Sequence, residues 1–315
     1  MKMFGSLRTW LTLRRAMKEM RTLQKEEASE IALSDANPLH LAKVALQLGD
    51  LTSALEYWNS ARTRYPTYVK QAPVTIEVLL GLKLFEEAEA MMMEGQKHAP
   101  REARYAEGYA LVAEHRGDLV EATDRWRRVR RRFPRRWTAY VNAGRCLREL
   151  GRLEDAEVLI NQATSRFPAN IQAWLEFARI AEATRDWKQA LSRWRQVSER
   201  FHHVFGVVGE ARAMIALGQL DDAETYLQRI KGTFWSEPDV GAQLAQIAEL
   251  RGDVSEAIIR WADVRRRFPT FAPAYDNSAR LLRLTGDQET LGMVLIDAAR
   301  YVPSEALSQI AVTND

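Results

Sequence analysis

Apolar and polar positions along this chain follow the period of an α-helix over most of its length, and the same punctuation interrupts them at a fixed interval. Pro66, Pro100, Pro134 and Pro168 are evenly spaced, His202 and Trp235 take the next two slots, and Pro269 and Pro303 complete the row. A turn residue stands 17 positions before each slot: Gly49, Lys83, Gly117, Gly151, Arg185, Gly218, Gly252 and Gly286. Five positions past the turn comes Ala54, Ala88, Ala122, Ala156, Ala190, Ala223 or Ala257, and Leu291 breaks the run. Seven positions before it come Ala42, Ile76, Ala110, Gly144, Ala178, Ala211, Ala245 and Ala279. Small side chains are needed where two helices touch, so the pattern predicts a pair of helices meeting at a turn, repeated eight times.

A longer self-match overlies that period. The stretch from Ala113 to Pro134 returns four repeats later as Ala248 to Pro269, and a looser copy runs from Ala181 to His202. Trp58, Trp126, Trp194 and Trp261 mark alternate repeats, whereas Met92, Ile160, Leu227 and Leu295 hold that slot in the others. These large side chains are expected to pack between helices rather than to hold a cofactor. In the sixth repeat Gly206 and Gly209 interrupt a helical segment, each costing roughly 1 kcal/mol relative to alanine, which marks the weakest seam and a candidate hinge. The second repeat is irregular, with Pro73, Gly81 and the run Met91 to Met93, read as gap filling.

The pattern resembles the tetratricopeptide repeat, whose 34-residue unit is a helix, a turn and a second helix. The resemblance covers about residues 35–305 as eight units, one of them a residue short. It implies an all-α, right-handed α-solenoid, that is, a superhelix of stacked helical hairpins, and proteins of this family are mostly binding scaffolds. Residues 1–34 are then a separate N-terminal helix and acidic linker, and residues 306–315 a short C-terminal cap.

Composition agrees. Gly 16 and Pro 10 fall mostly at turns, no strand-like alternation is seen, and no apolar run is long enough to span a bilayer. Cys146, the one cysteine, excludes an intramolecular disulfide and fits a reducing compartment. The net charge of +3 hides an asymmetry, because residues 1–25 carry seven Lys/Arg against Glu19. There Leu7, Trp10, Leu11 and Met17 share a face, with Arg14, Arg15 and Lys18 largely opposite: a cationic amphipathic helix. Such a helix lies on an anionic membrane surface, docks on a partner, or folds back to cap the first repeat. The expected location is the cytoplasm, peripheral at the inner face of a membrane if lipid is what the helix binds.

Catalytic chemistry is not expected. The five histidines are scattered, none has metal-ligand spacing, and phosphate loops and nucleophile elbows are missing, so neither cofactor nor metal is called for. Arg116-Gly117-Asp118 and Arg251-Gly252-Asp253 read as turns, not as adhesion signals.

The resemblance makes one slot informative, six residues before each turn residue, which in the family faces the concave groove. It holds Lys43, Glu77, Leu111, Arg145, Arg179, Arg212, Gln246 and Arg280, with Arg148 and Arg283 one helical turn beyond. This ladder suits an acidic or extended protein partner, since guanidinium pairs bidentately with carboxylate. The alternative is a face neutralised by Glu176, Glu182 and Glu249. Two specialised patterns of the family fail: Leu39 and Lys43 stand where a chaperone-tail clamp needs lysine and asparagine, and Asn142 and Asn277 are fragments of an asparagine ladder.

A second basic feature is Arg125, Arg127, Arg128, Arg130, Arg131, Arg132, Arg135 and Arg136, on a second helix and its following turn. It could hold the phosphates of nucleic acid or anionic lipid, with Trp137 for stacking, although specific nucleic-acid recognition is not expected. Arginine exceeds lysine 36 to 9, which suits a GC-rich bacterial genome, and such repeats resemble those of bacterial assembly adaptors.

Overall fold

The computed structural model describes residues 38–66, 74–234 and 236–302. Among these there are sixteen α-helices and no strand: α1 (Pro38–Gln47), α2 (Leu51–Arg64), α3 (Val74–Gly81), α4 (Phe85–His98), α5 (Ala103–His115), α6 (Leu119–Arg132), α7 (Trp137–Glu149), α8 (Leu153–Arg166), α9 (Ile171–Ala183), α10 (Trp187–Phe201), α11 (Val204–Ala216), α12 (Leu220–Ile230), α13 (Pro238–Leu250), α14 (Val254–Arg267), α15 (Ala272–Thr285) and α16 (Gln288–Tyr301). They fall into two compact units, one ending at Arg116 and the other starting at Gly117.

The turn residues do what their spacing predicts. All eight have positive φ, from +56° at Lys83 to +86° at Gly117, so the chain reverses through one left-handed residue. Glycine takes that conformation without strain; Lys83 and Arg185 hold it with a side chain. At five of the eight turns the next residue is aspartate, and Asp50, Asp118, Asp186, Asp253 and Asp287 each accept the backbone N–H three residues on, capping the second helix.

Within each unit consecutive helices pack on one another, and first helices also pack on first helices: α1 on α3 and α3 on α5, then α7 on α9, α9 on α11 and α11 on α13. The small residues sit at these crossings. Ala54, Ala88, Ala122, Ala156, Ala190, Ala223 and Ala257 are fully buried, as are Ala42, Ala110, Ala178, Ala211, Ala245 and Ala279. Trp58, Trp126 and Trp194 are among the largest fully buried side chains.

Two expectations need correction. Gly206 and Gly209 do not loosen α11. A Cβ on Gly209 would lie 2.2 Å from the Trp194 ring, and one on Gly206 2.6 Å from the Ser198 backbone nitrogen, so the glycines let α11 close onto α10. The propensity cost is offset by contact that a larger residue forbids. Leu295 is 37% exposed, because the buried stripe of α16 runs through Leu291, Val294 and Ala298. The N-terminal helix and linker, Pro73, Trp235, and the cap after Pro303 lie outside the described residues.

Candidate partner-binding site

Four first-helix arginines of the second unit are held by carboxylates, Arg179 from its own helix and Arg148, Arg212 and Arg280 from a neighbouring hairpin. On α9, Glu176 is 3% exposed and receives Arg179 Nη1 at 2.6 Å and, from α7, Arg148 Nε at 3.1 Å. Two cations therefore meet on one buried acid. On α11, Arg212 donates Nε and Nη2 to the two oxygens of Glu182 on α9, at 2.8 and 3.1 Å. The same Glu182 accepts the indole N–H of Trp194 at 2.8 Å, and the Arg212 guanidinium lies 5.7 Å from the centre of that ring.

This triad recurs. Glu249 on α13 accepts Trp261 Nε1 at 2.6 Å and pairs with Arg280 on α15, which Asn277 Oδ1 also accepts at 3.2 Å. Both guanidiniums remain 46% exposed while their carboxylates are 17% exposed. Nη1 of Arg212 donates to nothing among the described residues. Each site is thus an oriented, half-exposed fork of donors with a fixed counter-ion behind it. Arg145, Arg283 and Asn142 occupy half-buried positions on α7, α15 and α7. The carboxylates named as neutralising neighbours are the actual partners; what the sequence reading missed is the tryptophan N–H. Its signal was available, since Glu182 and Glu249 stand at the same offset before Trp194 and Trp261, whereas Leu46 takes that place before Trp58, whose buried Nε1 has no acceptor among the described residues.

A second clamp works from the tryptophan-bearing helices. Arg193 on α10 reaches back to Glu157 on α8 through Nη1 at 2.8 Å and Nη2 at 2.5 Å, and donates to the Phe177 carbonyl at 2.7 Å. Arg260 on α14 repeats this with Glu224 at 2.7 Å and the Leu244 carbonyl at 2.8 Å. Glu224 also pairs with Arg251, and the hydrogen bond from Arg251 holds its carboxyl below the usual range. Across α10, α11 and α12, buried Glu210 accepts Arg195 Nε at 3.0 Å, Ser198 Oγ at 2.9 Å and the Tyr226 hydroxyl at 2.9 Å. Burial, then the Glu210 charge, pushes the Tyr226 phenol upward.

The basic cluster is smaller than its spelling. Arg125 is 7% exposed and donates to Glu121 at 2.8 Å, so it belongs to the interior: it precedes the buried Trp126 and shares its side of α6. Arg130 is half-buried 5.6 Å from the Tyr140 ring centre, and burial lowers its pKa. Arg127, Arg128, Arg131, Arg132, Arg135 and Arg136 are exposed. Cys146 is fully buried. Among the described residues no cluster of His, Cys, Asp and Glu could hold a metal ion, and no helix is long and apolar enough to cross a membrane. Leu7, Trp10, Leu11, Arg14, Arg15, Met17 and Lys18 lie outside the described residues.

Residues 121–171 match the family model of the tetratricopeptide repeat. Among solved structures, a tetratricopeptide repeat protein from Parabacteroides merdae aligns over 87% of this chain and 95% of its own, with 15% identity and a TM-score of 0.51. Pseudomonas aeruginosa pilF aligns over 67% of this chain and 97% of its own, with 12% identity and a TM-score of 0.49. The TPR protein TTC0263 of Thermus thermophilus aligns over 57% and 97%, with 19% identity and a TM-score of 0.44. No curated protein matches the sequence.

Proposed function

Given that the chain is a tetratricopeptide-repeat protein, a fold that in general serves as a protein–protein interaction scaffold rather than a catalyst, we propose that it holds an extended, carboxylate-bearing segment of a partner protein. The segment lies along the first helices of the second unit and is met by Arg145, Arg148, Arg179, Arg212, Arg280 and Arg283, with Asn142 and Asn277 beside them. The observation that carries this reading is the paired Arg212 and Arg280, each oriented by a carboxylate that a tryptophan N–H fixes in turn. A guanidinium held in this way loses little side-chain freedom on binding, so its remaining donors cost less to engage than those of a free surface arginine. Because Glu176, Glu182 and Glu249 offset about half the charge of these arginines, recognition here draws on donor geometry as well as on attraction that salt screens.

The pairing also fixes the choice of variant. Reversing the charge at Arg212 would set two carboxylates against each other, so Arg179→Gln, Arg212→Gln and Arg280→Gln together are the cleaner probe. A displayed library of random extended peptides, panned on the full chain, should enrich Asp- and Glu-bearing sequences that the triple variant no longer retains. Enrichment without acidic residues, or retention by the variant, would refute the reading. The N-terminal helix is proposed to hold the complex at an anionic membrane surface. Co-sedimentation with phosphatidylglycerol vesicles should fall when residues 1–25 are removed, and equal pelleting would exclude that role.

A further inference from the structure

Helices α6 and α14 are an internal experiment, because they occupy equivalent positions in the two matching stretches and share their buried architecture. Asp118 caps one and Asp253 the other. Arg125 pairs with Glu121 at 2.8 Å and Arg260 with Glu256 at 2.7 Å. Each buries its tryptophan, Trp126 or Trp261. Both end in Arg-Arg-Arg-Phe-Pro.

Their outer faces differ. In α14, Asp263 pairs with Arg266 at 2.5 Å and with Arg267 at 3.6 Å, so one acid within the helix serves two of the terminal arginines. The equivalent of Asp263 in α6 is Arg128, three and four residues before Arg131 and Arg132. The acid that balances one copy is a further cation in the other. Arg128, Arg131 and Arg135 make no ion pair among the described residues, and Arg127 is met only by Asp124. The corner that follows diverges in the same direction: Thr270-Phe271-Ala272 after α14 corresponds to Arg135-Arg136-Trp137 after α6.

Like charges three and four residues apart destabilise a helix. The dipole at the end of α6 favours cations in its last turn, which accounts for Arg131 and Arg132 but not for Arg127, Arg128, Arg135 or Arg136. Trp137 is 37% exposed at the first position of α7 and has no ring partner among the described residues. Six exposed guanidiniums and one exposed aromatic ring thus fall within the last turns of α6, the corner that follows and the first residue of α7.

We propose that the α6–α7 corner, built from Arg127, Arg128, Arg131, Arg132, Arg135, Arg136 and Trp137, binds single-stranded nucleic acid without sequence preference. The arginines take phosphates and Trp137 stacks on a base, the two contacts that sequence-tolerant single-strand sites combine. A bilayer surface fits less well, because Trp137 is the only large apolar side chain exposed between residues 125 and 137. This site shares no residue with the partner-binding set, although Arg145 and Arg148 of that set lie further along α7.

Arg128→Asp tests the proposal, because it writes the α14 arrangement into α6 and so uses an arrangement this fold already carries. Binding of fluorescein-labelled U20 and dT20 to the full chain is followed by anisotropy over a range of salt. Residues 1–25 are themselves basic and will contribute to binding, so the readout is the difference between variants. Arg128→Asp removes one phosphate contact and gives Arg131 an acidic partner, which should flatten the slope of log affinity against log salt by about 1.4 at roughly 0.7 per phosphate. Trp137→Ala should weaken binding about tenfold, within the range for loss of a base–aromatic stack, and leave the slope unchanged. If Arg128→Asp fails to fold by circular dichroism, Arg128→Gln with Arg131→Gln and Arg135→Gln carries the same expectation. Unchanged binding and slope in these variants overturn the proposal. So does loss of phosphatidylglycerol vesicle binding with oligonucleotide binding intact, or polyglutamate of matched length binding more tightly than U20.

Discussion

Glu182→Leu should destabilise the second unit by about 2 kcal/mol, and the chain supplies the reference for that figure. Glu182 is the acceptor for the indole N–H of Trp194, a residue 1% exposed, and for two donors of Arg212. Removing it strands a buried N–H, which costs roughly 1–3 kcal/mol. It also removes a half-exposed ion pair worth about 1 kcal/mol or less. Burial of the leucine methyls returns about 1 kcal/mol at this partly exposed position. The equivalent pair in the first unit, Leu46 and Trp58, already has the apolar partner and the unsatisfied Nε1, so the fold tolerates this arrangement at a cost. Glu182→Gln keeps an acceptor for Trp194 and loses only the charge, and should cost less than half as much. Because repeat arrays open locally, hydrogen exchange of α9, α10 and α11 amides is the direct readout, with urea denaturation for the total. If leucine and glutamine are equivalent, and both cost under about 0.5 kcal/mol, the indole hydrogen bond is not what the glutamate provides.

Gly209→Ala should destabilise by about 1–3 kcal/mol, seen as a lower urea midpoint, because its Cβ would overlap the Trp194 ring in a packed crossing. Arg185→Gly should be neutral or raise stability by up to about 1 kcal/mol, since glycine adopts the φ of +58° without strain although it loosens the unfolded chain. A loss beyond that would mean the arginine side chain matters more than its backbone. The Glu224 carboxyl is depressed when folded, so its stabilisation is present above its unfolded pKa and lost as pH falls through the lower folded value. Glu224→Gln should therefore flatten the loss of stability below about pH 4.5, the ordinary glutamate range, in urea titrations at stepped pH.

Backbone features were legible because the repeat makes them redundant. A residue in the left-handed region recurs at all eight turns and an alanine five positions on at seven of them, so the spacing of Gly49, Gly117 or Ala122 could be read without knowing the contacts. Gly206 and Gly209 misled because propensity counts what a helix loses along its own axis and cannot see Trp194 arriving from α10. Leu295 misled because the side of α16 that is buried runs through Leu291, Val294 and Ala298 instead. The arginine ladder was located by its period, but the period says nothing of how each guanidinium is committed. That depends on Glu182 and Glu249, which lie on the preceding first helix and become neighbours only through stacking.

The alternation of tryptophan between repeats has an electrostatic meaning that packing alone does not supply. In the second unit the hairpin α9–α10 sends Arg193 back to Glu157 of the hairpin before it, and offers Glu182 to Arg212 of the hairpin after it. The hairpin α13–α14 does the same with Arg260 back to Glu224 and Glu249 forward to Arg280. The intervening hairpins α7–α8 and α11–α12 answer with the complementary charges. Tryptophan marks the clamping member because its indole N–H can orient the forward glutamate, a task the Ile160 and Leu227 side chains cannot perform. Ion pairs that cross between hairpins act on the interfaces rather than on the hairpins, and in a linear array the interface terms set how far an opening spreads. The hairpins α9–α10 and α13–α14 therefore each couple the neighbours on both sides. From α9 to α15 the two-repeat period is a period of clamps, and the same clamps hold the exposed forks of Arg212 and Arg280 in the orientation a partner would meet.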